Sequence, residues 1–465
     1  MRLPNTAAPA GFWKGNWHET MFHIRFDCAA TWPHYSKVIM KELQYDAAVI
    51  GAGAAGMAAA LELDKAGFST ALIEREEHLG GILMQCIHNG FGLHEFNEEL
   101  TGPEFAGRFI DQVAASGIKV YFDTTVISLR AGLSAYDLSG SVPWKELFCV
   151  SPQGMMQIRA KTVVLAMGCR ERNRGNVRIP GSRPAGVFTA GLAQRMINID
   201  GYVPGKEIVI IGSGDIGLIM ARRMTWAGCT VKAVVEIMPY PAGLTRNIVQ
   251  CLKDFNIPLY LSSQTTSIFG NDRVEGVEVT PMENGVLLHD KKFRIDCDTV
   301  LLSVGLVPEN ELSREAGVEI NGTTGGPRVD ASLMTNIEGV FACGNVLHVH
   351  DLVDWVAMEA RSAGIQAASW IKGVRPGTQI RIKAGSHVRY VNPGKLCPQM
   401  ENKIFLRSMI VKSDAVLQLK LDNQVFRTIK QRHVQPSEMI TVNIGPKDIE
   451  KFRYSTESVM EFSIS

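Results

Sequence analysis

Two glycine-rich turns carry the most specific chemistry in the sequence. YDAAVIGAGAAG supplies Gly51, Gly53 and Gly56, and KEIVIIGSGDIG supplies Gly212, Gly214 and Gly217, each in the pattern G-x-G-x-x-G. Each turn follows a short apolar run that reads as a buried strand and opens a run that reads as a helix, beginning Ala54-Ala55 in one case and Asp215-Ile216 in the other. In each unit a carboxylate, Glu74 or Glu236, ends the next strand about 20 residues on, where it can accept hydrogen bonds from ribose hydroxyls. The first glycine permits the tight turn, the second lets a pyrophosphate approach the backbone, and the third lets helix and strand pack closely. Glycine pattern, strand, helix and acid agree twice, so the chain is expected to bind two dinucleotides, one a flavin and the other a nicotinamide. A carboxylate at Glu236 repels a 2′-phosphate and accepts the free 2′-hydroxyl, which favours NAD(H).

Around these turns lie groups that could move protons or electrons. LGGILMQCIHNGFG, residues 79–92, holds Gly81, one cysteine, Cys86, and His88. GVFACGNVLHVHDLVDW, residues 339–355, holds His348 and His350. Histidine titrates near pH 6.5, so His88, His348 and His350 are the candidate catalytic residues, with hydrogen-bonded structural roles as the alternative. His94 belongs to the same set by position. The apolar neighbours of Cys86 argue for a small buried hydrophobe. Arg170, Arg172 and Arg174 in GCRERNRG could hold a phosphate or carboxylate, or serve as a solvated connection between domains.

These groups need a large scaffold, and the chain has 465 residues, enough for two or three domains. Lys plus Arg is 48 against 47 for Asp plus Glu, with no long run of one sign, so the electrostatic footprint of a nucleic-acid binder is missing. Nine cysteines are scattered without a C-x-x-C or a Cys/His cluster, which gives no metal-site signal and suits a reducing compartment. No apolar stretch approaches the roughly 20 residues of a membrane span, so a soluble, cytoplasmic protein is expected. Residues 1–39 have neither a signal-peptide centre nor a helical period; they read as a start-site artefact or loose tail, or as a partner-binding arm. Residues 378–465 alternate with period two and carry a turn signal at Asp422-Asn423, predicting a small β-rich domain that covers the flavin fold or docks a partner.

The two nucleotide folds, with VVLAMGCRERNRGNVRIPG (163–181), LLSVGLVPENEL (301–312) and the 339–355 segment, resemble the flavoproteins with two dinucleotide-binding domains, the group of the pyridine nucleotide-disulfide oxidoreductases. The resemblance implies an α/β architecture of two Rossmann-like domains, an FAD domain (40–165 and 301–377) interrupted by an NAD(P) domain (166–300), followed by the β-rich 378–465. It implies crossings between domains at Gly168 and Gly305, which with Arg75, Gly81, Gly344, Asn345 and Val353 would border the cofactors. Asn345 stands where the family has an aspartate on the ribityl chain, keeping an acceptor but losing a charge. Asp351 to Asp354 looks like an N-cap with an acidic third residue, opening a helix to about Trp370 whose positive end of about half a unit charge would face the flavin.

The family's redox cysteines would fall at positions 83 and 88, which are Leu83 and His88. The flavin is therefore expected to exchange electrons with an organic substrate, NAD(H) or another protein. A narrower similarity, carried by GGILMQCIHNGFGLHEF, GCRERNRG and CGNVLHVHDLVD, is to the α subunits of proline and hydroxyproline dehydrogenases, opine oxidase and hydrogen cyanide synthase, and to flavoproteins accompanying glycerol-3-phosphate dehydrogenase. The partner it implies is a second flavoprotein dehydrogenase subunit. The alternatives are a one-cysteine NADH peroxidase using Cys86 and a nucleotide-binding scaffold subunit.

Overall fold

The strand Lys41–Ile50 passes from polar KELQ to apolar AAVI, and its burial follows, with the last four residues sealed at the centre of a sheet. The computed structural model describes residues 41–131 and 144–465; the 1–39 extension lies outside the described residues. Lys41–Ile50 pairs in parallel with Thr70–Ile73 on one side and Gly154–Leu165 on the other. Lys119–Tyr121 extends the sheet beyond Thr70–Ile73, and Val340–Ala342 returns from far along the chain to pair in parallel with Gly154–Leu165. Parallel strands buried on both faces read as continuous apolar runs, as the AAVI, TALI, TVVL and VFA stretches of the central strands do.

The alanine-rich helix Ala54–Lys65 is small on its packing side for a reason: the helix Val353–Ile371 crosses it so closely that a Cβ on Gly364 would lie 2.5 Å from the Ala59 carbonyl oxygen. Val353–Ile371 ends one residue beyond its expected limit. A second parallel sheet runs Val187–Thr189, Thr299–Leu302, Glu207–Ile211, Thr230–Val235, Leu259–Tyr260. All of Thr299–Leu302 pairs within this sheet, so the 300/301 division falls inside a strand. An antiparallel sheet, Ser263–Gly270, Val274–Glu283, Val286–Leu287 and Phe293–Asp296, shares a core with it.

The chain passes between the two nucleotide folds through an antiparallel ribbon, Cys169–Glu171 against Leu306–Pro308. Gly168 and Gly305, with φ of +72° and +98°, make the turns that enter it. Residues beyond 378 form a five-stranded and a three-stranded sheet around their own apolar core. Asp422 and Asn423 both have positive φ, +47° and +68°, the pattern of a type I′ hairpin turn joining Lys412–Leu421 to Gln424–Val434.

Candidate functional site

In the first turn, a Cβ on Gly51 would come within 2.5 Å of the Ala166 oxygen, and one on Gly56 within 1.7 Å of the Gly51 oxygen. Those two glycines are fixed by backbone packing. Gly53 differs: a Cβ there meets nothing within 4 Å, because the space over it is open cleft. Glu74 buttresses the turn, accepting the Ala52 N–H at 2.7 Å on one carboxylate oxygen and the Glu76 N–H at 3.0 Å on the other. Each oxygen keeps a lone pair for a ribose hydroxyl.

The second turn repeats this plan. Cβ atoms on Gly212 and Gly217 would strike Ser303, and Gly214 precedes the helix Asp215–Trp226. Glu236 accepts the Ser213 N–H at 2.9 Å and hydroxyl at 2.6 Å on one oxygen, and the Met238 N–H at 2.9 Å on the other. Asp215 is drawn aside from the helix start by the Leu244 N–H and the Asn247 amide, at 2.8 and 2.7 Å. Residues 236–242 hold no Lys or Arg that could meet a 2′-phosphate.

Both turns open on one cleft of 1510 Å³. Gly51, Gly53, Ala54, Ala55, Glu74, Arg75, Gly81 and Gly168 line it from the first half and the crossing, and Gly212, Gly214, Asp215, Ile216, Glu236 and Gly305 from the second. Asn345 and Val353 also reach it. Gly56, Gly217 and Gly344 do not; they serve packing, Gly344 lying where a Cβ would meet that of Ala55 at 2.8 Å. The helix Val353–Ile371 has no side-chain cap at Leu352, so its first N–H groups remain free at the cleft edge. Open space over Gly53, the carboxylate of Glu74 and this uncapped helix end fit FAD; Gly214 and Glu236 fit a nicotinamide dinucleotide.

The histidines divide. His88 lines the cleft, its ring tilted against that of Phe91 at 4.9 Å between centroids, with Nδ1 3.0 Å from the Asn89 oxygen. Burial lowers its pKa from the ordinary value, so it is a neutral proton acceptor near pH 7. The His348 and His350 side chains are only 1% and 0% exposed, and His350 reaches the cleft only through its main chain. Proton exchange with a cleft-bound substrate, expected of all three, has a geometric basis only at His88. Both buried rings instead meet Glu359, at 2.8 and 3.3 Å, and that carboxylate also accepts the Gly344 N–H at 2.7 Å. Burial raises the pKa of Glu359, but its imidazole partners outweigh this and hold it below the ordinary range. The trio's nitrogen and oxygen donors lie within 4.8 Å of one another, a set that could hold a transition metal, although the spacings are those of hydrogen bonds. His94 stacks on Trp355 at 4.8 Å.

Asp351 is not the expected N-cap. Leu352 occupies that place, while Asp351 is drawn away to Arg407 and to the Met439 N–H at 2.6 Å. Asp354, also buried, accepts the N–H groups of Gly92, His94 and Glu95. The Asn345 side-chain oxygen accepts the His350 N–H at 3.0 Å. Of the three arginines, Arg170 and Arg172 both line the cleft, Arg170 while pairing with Glu309 and Glu311 across the crossing ribbon, whereas Arg174 binds the carbonyls of 179–182.

Cys86 points its sulfur at the Ile82 oxygen, 3.3 Å away, and burial pushes its thiol up to about 12. All eight described cysteines are free thiols. Sequence reasoning missed Glu359, Arg407, and the C-terminal residues Arg389, Pro436 and Ser437 that close one wall of the cleft. No local pattern marks them, since their roles arise from contacts between distant segments.

Two parallel nucleotide folds joined by a double crossing and opening on a common cleft define a flavoprotein with two dinucleotide-binding domains. Residues 45–368 match the family of the pyridine nucleotide-disulphide oxidoreductases, and the chain belongs to that family, as an FAD/NAD(P)-dependent oxidoreductase. It is 27% identical over 355 residues to the glutamate synthase [NADPH] small chain of Mycobacterium tuberculosis, covering 70% of this chain and 67% of that one. It is 26% identical over 298 residues to an opine oxidase subunit of Rhizobium meliloti, covering 59% of this chain and 53% of the relative. Thioredoxin reductase from Lactococcus lactis shares the fold at a TM-score of 0.58 and 20% identity, over 71% of this chain and all of that one. Among the described residues, no helix is long and apolar enough to cross a membrane.

Proposed function

We propose that the chain passes electrons between FAD and NAD(H), or relays them from a partner dehydrogenase subunit, without a redox disulfide. The observation that carries this reading is the shared cleft: both glycine turns face it, and the one cysteine near the expected redox position, Cys86, lines it half-buried and with no partner sulfur. FAD supplies the two-electron acceptor. Glu74 holds the first turn in shape for a ribose and pyrophosphate, and Gly53 leaves room for them. Glu236 does the same in the second half, where its charge selects the free 2′-hydroxyl of NAD(H). Arg246 lines the cleft beside Asp215's partner Asn247 and has no ion pair among the described residues, so it can meet a pyrophosphate charge. His88 is placed to take or return a proton at Nε2.

The similarity to an opine oxidase subunit and to a glutamate synthase small chain supports work as one part of a cytoplasmic complex whose other component oxidises a small metabolite. It also favours the dehydrogenase-subunit group over the disulfide reductases, because this chain has no C-x-x-C. The test is the visible spectrum of purified, FAD-reconstituted protein under anaerobic NADH. A flavin band that bleaches with NADH, and needs more NADPH for the same loss, is the expected result. A protein that cannot be loaded with FAD, or a bound flavin that neither nucleotide bleaches, contradicts the reading.

A further inference from the structure

Arg407 lies on the strand Asn402–Ser408 of the C-terminal region, at the boundary with the flavin fold, and it is 9% exposed. A guanidinium has five N–H donors, and each here has a partner. Nε donates to the Tyr390 hydroxyl at 3.2 Å. Nη1 donates to the carbonyls of Pro436 and Ser437, at 3.3 and 2.6 Å. Nη2 donates to the Val349 carbonyl at 3.0 Å and to the Asp351 carboxylate. The other oxygen of Asp351 accepts the Met439 N–H. One side chain thus ties the 436–439 loop of the β-domain to the 349–351 turn, which leads within two residues into the uncapped helix Val353–Ile371. Both Asp351 and Arg407 line the cleft beside Val353 and Asn345.

The geometry points to Arg407 as a positioning residue for the flavin: it holds the 349–351 turn so that the free N–H groups at the start of Val353–Ile371 face the cofactor, and it balances the charge of Asp351 there. The inference rests on FAD occupying the first site. It makes the C-terminal β-domain part of the flavin's electrostatic environment as well as a wall of its cleft. A helix start presents partial positive charge, which favours the negative charge that a flavin ring carries when reduced. Loss of Arg407 would release that helix end and leave Asp351 uncompensated, both of which disfavour reduction. Loss of the Asp351 charge would leave Arg407 positive beside the cleft, which favours it.

The opposite signs separate positioning from general loosening. Parent, Arg407→Met, Asp351→Asn and the control Arg427→Met would each be loaded with saturating FAD at pH 8 and equilibrated with a reference dye, with FAD affinity and circular dichroism measured alongside. Arg427 sits on the outer strand of the same β-domain and bonds the Asn443 carbonyl. Arg407→Met should lower the two-electron potential by at least about 30 mV, a tenfold change in the equilibrium, and weaken FAD binding. Asp351→Asn should raise the potential, and Arg427→Met should leave it alone. Parent-like potential and affinity in both cleft variants, or shifts of the same sign, would overturn the inference. If Arg407→Met does not fold, Asp351→Asn decides: an unchanged or lowered potential rejects the role. A parent that takes up no FAD rejects the flavin reading itself, and this inference with it.

Discussion

The two glycine turns are built on one plan and loaded differently. In the first, two backbone donors meet Glu74, and the helix begins Ala54-Ala55, with nothing to compete for an anion at its N-terminus. In the second, Glu236 takes three donors, and the helix begins with Asp215, whose charge is held aside by Leu244 and Asn247. An anion at a helix N-terminus is favoured by the free N–H groups and the dipole, and an acidic side chain there opposes it. On the proposed reading, the difference suits the first site to a resident cofactor and the second to a ligand that comes and goes.

The largest effect expected is at the second glycine of each turn. Gly53→Val should weaken FAD by a hundredfold or more, about 2.7 kcal/mol by affinity arithmetic, in a protein that still folds, because the new side chain enters open space. Gly214→Val should retain FAD and lose NADH binding, although its Cβ lies 3.2 Å from the Ser303 hydroxyl. Calorimetry with each nucleotide checks both. Loss of both ligands from either variant would mean that the turns are not separate sites.

Removing the acids comes next. Glu236→Ala orphans three donors and Glu74→Ala two, at roughly 1–3 kcal/mol for each buried group left unpaired, so without ligands Glu236→Ala should show the lower Tm. It should also weaken NADH relative to NADPH. A preference unchanged by the substitution would show that Glu236 does not face the ribose.

A smaller effect concerns pH, and it should touch the flavin half. Burial, with His350 beside it, lowers the pKa of His348 to about 4, against 6.5 for the free side chain. The unfolded chain therefore takes up a proton in a range where the folded one does not, and stability falls as pH drops from about 6.5 towards 4. Because Glu359 joins His348 to Gly344, FAD release should accompany that fall, and His348→Gln should flatten this part of the Tm profile. A profile identical to the parent's would show that His348 does not carry the effect.

The smallest effect is at Cys86. Its half-buried thiol has no partner sulfur and is held protonated by its surroundings, so Cys86→Ser should leave NADH-driven bleaching within a few-fold. A flavin-loaded Cys86→Ser protein without activity would revive peroxidase chemistry at that sulfur.

What could be read from the sequence was local. Gly51, Gly53 and Gly56, the helix after them and Glu74 form one continuous stretch whose chemistry needs only near neighbours, and the same holds for Gly212 to Glu236. The Asp422-Asn423 turn is equally local, since both residues tolerate positive φ. Asp351 misled because an acid just before a helix usually caps it, and the competing partner, Arg407, is 56 positions away. His348 and His350 looked chemical because imidazole titrates near neutral pH, but Glu359, 11 and 9 positions later on the following helix, draws both rings inward. Neither an alternating pattern nor a composition shift says which wall of a cleft a β-domain will build; that follows from Arg407 and the 436–437 loop meeting the flavin fold.

Parallel anaerobic NADH titrations of FAD-loaded parent and Gly214→Val, followed at the flavin band, test most directly whether two differently loaded sites serve one cleft. The parent should bleach while Gly214→Val stays yellow with its FAD in place. Equal bleaching of the two proteins, or a parent whose bound FAD is indifferent to NADH, would contradict the two-site cleft.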